Sequence, residues 1–353
     1  MTSTSAPVRA AGREHSSRGA AVNAVTRSFG LALALLVLCA ALLLSLGVGA
    51  RALPPTVVWD ALFFYDGSDF HAIVRDARLP RTVIGVLAGV ALGGCGALIQ
   101  AYTRNPLADP GILGVNAGAT FAITMGAGFL GLAAPLQYVW LSLAGALSVT
   151  LLVYLIGRAS REGATPVRMT LTGVALGAIL TGLSSIIILK NFQVFQALRL
   201  WGIGSLGGRD ADVILTVAPF IAVGLIIAVL ASSSLNAIAL GDDLGASLGV
   251  NIPLTRGLAI AGVTLLAGGA VALAGPIAFV GLMVPHAVRW FTGPDQRWIL
   301  AYSVVAAPVL LLVSDVIGRI VLPDGELPVG IVTAIVGAPV LILLARRKKV
   351  SGL

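Results

Sequence analysis

Long apolar runs alternate with short polar joints along almost the whole chain. Runs near the length that a bilayer core about 30 Å thick demands of a helix fall at 29–50, 83–101, 112–130, 137–157, 170–189, 213–231, 257–275, 276–292, 298–322 and 328–345. The pattern predicts an all-α polytopic membrane protein with ten transmembrane helices. Between the seventh and eighth runs there is no polar joint, only the interruption Gly275-Pro276. Residues 1–28 are polar, rich in Ala, Ser and Arg, and read as a disordered cytoplasmic tail. The run at 29–50 is too long for the core of a cleaved signal peptide and reads as a retained span. The membrane domain then covers 29–345, and 346–353 form a basic cytoplasmic C-terminus.

Composition agrees with this class. Of 353 residues, 58% are hydrophobic and 11% charged, against about a quarter charged in soluble chains. A formal net charge of +8 could suggest nucleic acid, but the basic residues sit in the short joints, where they act as topology signals. With both termini inside, most of the 23 basic residues fall on the cytoplasmic side. That orientation leaves Arg78, Arg81 and Arg319 on the outer face, against the trend. Cys39 and Cys95 both lie inside spans, with no spacing for a disulfide or a metal. Spans two to five and seven to ten run in opposite senses, which permits an inverted repeat.

The energy source has to lie elsewhere. A phosphate-binding loop needs lysine before Ser or Thr, whereas Lys190, Lys348 and Lys349 precede Asn, Lys and Val. Ion-driven carriers place ionisable groups at mid-membrane, and these spans hold almost none. Asp315, near an outer end, is placed to pair with Arg319 one helical turn on. The three histidines, His15, His71 and His286, are too scattered for a metal site, and His286 reads as a packed residue.

Residues 232–256 form the longest internal cytoplasmic loop and read as two short helices. Leu235, Ile238 and Ala239 make an apolar face on the first, which ends at Gly241. Asp242 and Asp243 can cap the second, which carries Leu244 and Leu248 and stops at Gly249. Helices this short are marginal alone. They pack either on their own membrane domain or in a groove on a cytoplasmic partner.

Six stretches together resemble the FecCD-type permeases, the membrane subunits of ABC importers for iron-siderophores, haem and cobalamin. They are "RLPRT" at 78–82, "GALIQAYTRNPLADPGILGVNAGA" at 96–119, "WGIGSL" at 201–206, "LNAIALGDDLGASLG" at 235–249, "AGPIAFVGLMVPHAVR" at 274–289 and "ELPVGIVTAIVGAPVLILL" at 326–344. The resemblance implies a type II importer architecture in a bacterial cytoplasmic membrane. Two permeases, identical or different, enclose a pathway, and an ABC ATPase dimer binds below with ATP and Mg. This chain itself then binds no cofactor and catalyses no reaction. A substrate-binding protein docks from outside, its acids meeting arginines that match Arg78, Arg81 and, from "SDVIGR", Arg319. Arginine suits a carboxylate because its planar fork donates two parallel hydrogen bonds.

The resemblance also implies an ATPase contact at Leu240, Gly241, Asp242, Asp243, Leu244, Gly245 and Ala246. A cytoplasmic gate matches Asn105, Pro106 and Leu107, with Ala164 and Thr165 as a second element. "WGIGSL" implies pathway contacts by Trp201, Gly204 and Ser205, although Arg209, Asp210 and Ala211 stand where relatives commonly carry a second aromatic. Transport then proceeds by alternating access, with an iron-siderophore-type chelate as the leading substrate. Haem or cobalamin in the same architecture, or an ion-coupled secondary transporter, are the alternatives.

Overall fold

The computed structural model describes residues 13–49, 51–159, 165–209, 211–322 and 325–346. Every regular element among them is helical. The chain opens with α1 (Arg13–Gly47), followed by two short helices, α2 (Pro55–Phe63) and α3 (Asp69–Ala72). A π-helical turn (Ile73–Arg78) feeds α4 (Leu79–Thr103), and a 3-10 turn (Pro110–Leu113) precedes α5 (Val115–Phe129). Next come α6 (Pro135–Arg158), α7 (Pro166–Lys190), α8 (Phe192–Trp201) and α9 (Ala211–Ala239). The last five are α10 (Asp242–Ser247), α11 (Ile252–Ala274), α12 (Val280–Thr292), α13 (Gln296–Ile320) and α14 (Val329–Arg346).

Each expected span coincides with a helix, but the lengths differ. Among the described residues, seven helical stretches are long and apolar enough to cross a membrane: Val25–Gly47, Asp69–Thr103, Pro135–Arg158, Pro166–Lys190, Ala211–Ala239, Ile252–Ala274 and Gln296–Ile320. The other three are shorter. α5 has 15 residues and α12 has 13, about 22 and 20 Å at 1.5 Å per residue, and Val329–Leu343 is apolar but also short. The physical cause is visible for two of them. α5 follows an unwound stretch held by Pro106 and Pro110, and α12 follows the break at Gly275-Pro276. α1 starts at Arg13, so the part of the expected tail from that residue on is helical; residues 1–12 and 347–353 lie outside the described residues. The order of a long helix, an unwound stretch, a short helix and two further helices occurs twice, from α4 to α7 and from α11 to α14.

α4 and α11 form the centre of the bundle. In each, 78% of the most apolar stretch is buried inside the chain, against 17% for α1 and 11% for α7. Glycines allow the central crossings. A Cβ on Gly89 would sit 2.4 Å from Pro308 Cα, and one on Gly96 would sit 1.8 Å from the Gly281 carbonyl oxygen. Helix backbones in direct contact gain dispersion that bulkier residues would forbid. The main core gathers Ile84, Ile99, Leu266, Leu273, Ile299 and Leu311 among others, all essentially without exposed surface.

The break between α11 and α12 anchors a second junction. Gly275 lies at φ 73° and Phe279 at φ 68°, a region that costs a non-glycine residue of order 1 kcal/mol or more. The segment after α8 packs against this break. Ser205 N–H donates to Ala274 C=O at 2.8 Å, and Gly330 N–H at the head of α14 donates to Gly204 C=O at 3.2 Å.

Candidate functional site

The three arginines expected on the outer face do meet at one end of the bundle. They line a pocket of about 210 Å³ together with Gly49, Arg51, Ile73, Ala77 and Glu326. Two of them are committed to the fold. Arg78 is buried, its Nη1 donating to the carbonyls of Leu46 at 2.7 Å and Gly47 at 2.8 Å, and its Nη2 to that of Arg51. Arg319, equally buried, donates to the Ser45 carbonyl at 2.9 Å and the Val48 carbonyl at 3.1 Å. The corner after α1 has no helix to satisfy its carbonyls, so two guanidinium groups do so. In the chain by itself, Arg78 and Arg319 hold this backbone corner.

Arg81 differs. Its Nε and Nη2 edge grips both carboxylate oxygens of Asp315 at 2.8–3.0 Å, while Nη1 donates to Glu326 Oε2 at 2.6 Å. Asp315 also meets Arg319 Nη2 at 2.8 Å, the i,i+4 pair expected from sequence. The carboxylate is therefore buried between two cations, the arrangement that makes a buried charge tolerable. The backbone of Gly207 passes beside the same guanidinium, since a Cβ there would lie 3.4 Å from Arg81 Nη1.

A cleft of about 470 Å³ opens between α5 and α7. Its walls are Asn116, Ala117 and Thr120 from α5, and Gly173, Val174, Gly177, Thr181, Ser184, Ser185 and Ile188 from α7. Gly111 and Gly114 close one side, and Pro276 of the α11–α12 break closes another. Among the described residues, no titratable side chain lines it. The hydroxyls of Thr120, Ser184 and Ser185 donate to carbonyls one turn back on their own helices, leaving oxygen lone pairs toward the cleft as acceptors. Such a surface tolerates a large polar solute without gripping it.

Most of these cleft residues were missed at the level of sequence. The expected pathway residue Trp201 is buried in a satellite core with Ala119, Ile123, Tyr138 and Leu198, so its ring faces protein. Gly204 and Ser205 contribute backbone hydrogen bonds that hold the break between α11 and α12. They support Pro276 and do not line the cleft themselves.

At the opposite end, about 35 Å along α4 by helix rise, a turn caps the second span. Arg104 adopts φ 51°. Asn105 Oδ1 accepts from Leu107 N–H at 3.0 Å, and Asp109 Oδ1 accepts from Gly111 N–H at 2.8 Å. Burial pushes the Asp109 carboxyl above the usual carboxylate range. Pro106 and Pro110 add fixed φ angles, so the turn is stiff. Tyr102 O–H donates to Met169 Sδ at 2.9 Å, tying this turn to the first turn of α7, which Thr165 precedes. Ala164 lies outside the described residues.

The loop at 232–256 corrects one expectation. Its first expected short helix is the last part of α9, continuous to Ala239, with Leu235 and Ile238 buried against the bundle. The second is α10. Its N-cap is Gly241 at φ 119°, without a side-chain cap bond, and Asp242 is engaged elsewhere. Its carboxylate pairs with Arg104 Nη2 on one oxygen and with Arg256 Nη2 at 2.7 Å on the other. Gly245 turns inward, since a Cβ there would press on Ile252 at 3.2 Å. Leu240, Leu244 and Leu248 are each more than half exposed; Leu244 lies on α10, and Leu240 and Leu248 stand just outside its two ends.

Comparison with known proteins fits this geometry. The model of the FecCD transport family matches residues 35–347. The ferric enterobactin transport system permease protein FepD of Escherichia coli (strain K12) is 47% identical over 329 residues, 93% of this chain and 98% of its own length. The iron(3+)-hydroxamate import system permease protein FhuB of Bacillus subtilis (strain 168) is 38% identical over 92% of this chain and 85% of its own. Among solved structures, an inward-facing conformation of a metal-chelate type ABC transporter superposes with a TM-score of 0.76 at 26% identity, covering 90% of this chain and 97% of that one. The chain is an integral membrane protein, and it belongs to the FecCD transport family.

Proposed function

We propose that this chain is the membrane-spanning permease subunit of an ATP-binding cassette importer in a bacterial cytoplasmic membrane. It takes an iron-siderophore-type chelate from an extracytoplasmic binding protein and passes it inward by alternating access. The observation that carries this reading is the likeness over 98% of the ferric enterobactin permease at 47% identity, joined to a pathway-like cleft that holds no titratable group. Ten spans with both termini inside fit the charge distribution, with α5, α12 and α14 completing their crossings through the unwound segments beside them.

Each end of the bundle has a task in this reading. Arg81, with Arg78 and Arg319 bracing the corner beside it, receives a carboxylate of the binding protein. The face of α7 left open in the single chain meets a second permease, identical or different, so that two clefts form one pathway. The weakly polar wall favours broad passage, and selection among chelates rests with the binding protein. The exposed side chains of Leu240, Leu244 and Leu248 on and beside α10 seat in a groove on an ATPase of the partner dimer, which binds ATP and Mg. Asp242 carries the movement of α10 through Arg104 to the turn at Asn105, Pro106 and Leu107, where the cytoplasmic gate lies, with Ala164 and Thr165 as its second element. An ion-coupled carrier lacks support, because Asp315, a buried carboxylate near a span end, is held by two arginines.

Affinity purification from native membranes at low salt, followed by mass spectrometry, tests the assignment. An ABC ATPase and an extracytoplasmic binding protein are expected with the chain. Recovery of the chain alone, together with solute uptake into ATP-free liposomes, would overturn it. A binding protein that carries haem or cobalamin would keep the architecture and change the substrate.

A further inference from the structure

Three arginines line one pocket, yet one bonded donor among them faces an exposed acid. The donors of Arg78 and those of Arg319 that are bonded serve the corner at residues 45–51 or the buried Asp315. The Nε and Nη2 edge of Arg81 is closed by Asp315, whose side chain is 1% exposed. Nη1 alone points to a partner near the surface, the carboxylate of Glu326 at 2.6 Å, and that side chain is 46% exposed. We propose that Glu326 is an internal placeholder for the docking carboxylate. It occupies Arg81 in the free permease and gives way when the binding protein arrives. This rests on the reading that Arg81 receives an acid of that protein.

The geometry leaves an incoming acid one route. Asp315 cannot yield, because its removal would leave two buried guanidinium groups facing each other. Glu326 can yield, because an exposed ion pair contributes little and exchanges readily. A single stray carboxylate gains nothing by replacing it, since one ion pair is swapped for another. A partner that brings further contacts gains them in full, so the placeholder raises selectivity while lowering apparent affinity. Release also has somewhere to travel. Glu326 lies just before the head of α14, and Gly330 there is bonded to Gly204 beside the α11–α12 break.

The test measures binding of the co-purified binding protein to the permease–ATPase complex in nanodiscs, across a salt series. The variants are Glu326→Gln, Glu326→Ala, Arg81→Gln and the double variant Arg81→Gln/Glu326→Gln. Both Glu326 variants are expected to bind about two- to five-fold tighter at low salt, with the gain shrinking as salt rises and absent on the Arg81→Gln background. If both bind no tighter than wild type while Arg81→Gln weakens binding, the docking reading stands and the placeholder falls. If Arg81→Gln binds like wild type, the docking reading itself falls, and the placeholder with it.

Discussion

Arg104 and Asp242 form an ion pair that joins the end of α4 to the first residue of the short helix α10. Arg104 holds the left-handed conformation at the entrance to the proline-stiffened turn, and Asp242 opens the helix that carries the exposed Leu244. A displacement of α10 by a partner therefore reaches the turn through one carboxylate. Asp242→Asn should leave ATPase binding intact and cut ATP-driven uptake about tenfold, a cost of ~1.4 kcal/mol. Uptake and ATP hydrolysis measured on the same proteoliposomes check this, with hydrolysis expected to persist. A parallel loss of hydrolysis would point to a structural role instead.

The exposed leucines yield a second expectation. Leu240, Leu244 and Leu248 are exposed apolar residues between the candidate spans Ala211–Ala239 and Ile252–Ala274, and exposed apolar surface of this kind marks an interaction site. Burying one leucine contributes about 1.5–3 kcal/mol. Leu244→Asp should weaken ATPase association at least tenfold without lowering the thermal stability of the isolated permease, as pull-down and a melting curve in detergent will show.

Asp315 sits between Arg81 and Arg319 with almost no exposed surface. Asp315→Asn keeps the shape and removes the charge that makes both guanidinium groups tolerable. The expected loss of stability is about 3–5 kcal/mol, read as a large fall in melting temperature. Glu326→Gln, on the same arginine but exposed, should change stability by less than about 1 kcal/mol.

The cleft between α5 and α7 can be closed without disturbing the core. A Cβ on Gly177 would meet only Ala117, at an ordinary 3.7 Å, so a larger side chain there projects into open space. Gly177→Phe should reduce uptake at least tenfold while melting temperature and ATPase association stay unchanged. Gly96→Ala serves as the contrast, since its Cβ would collide with the Gly281 backbone and the bundle should fail to assemble.

The parts legible from sequence were those set by local spacing. The Asp315–Arg319 pair follows from a four-residue interval on a helix, and the spans follow from runs of apolar residues. The bonds of Arg78 are not legible locally, because its acceptors, the carbonyls at 46 and 47, lie 31 or more residues away in the chain. Nothing in "RLPR" announces that one arginine will serve a backbone corner while the other serves two acids. Gly275-Pro276 marked the break before α12, but the positive φ of Phe279 arises only from packing. The cleft had a signal that went unread: Gly173, Gly177, Thr181 and Ser185 recur every fourth residue along the fifth span. A small and polar stripe inside an otherwise apolar helix points to a face away from lipid.

Reconstitution of the permease with its ATPase and binding protein in proteoliposomes tests the central claim most directly, with uptake of radio-iron presented as its ferric siderophore. Accumulation that requires external binding protein and lumenal ATP, and that persists when the proton gradient is collapsed, is the predicted result. Uptake that proceeds without ATP and stops when the gradient is collapsed would contradict the account.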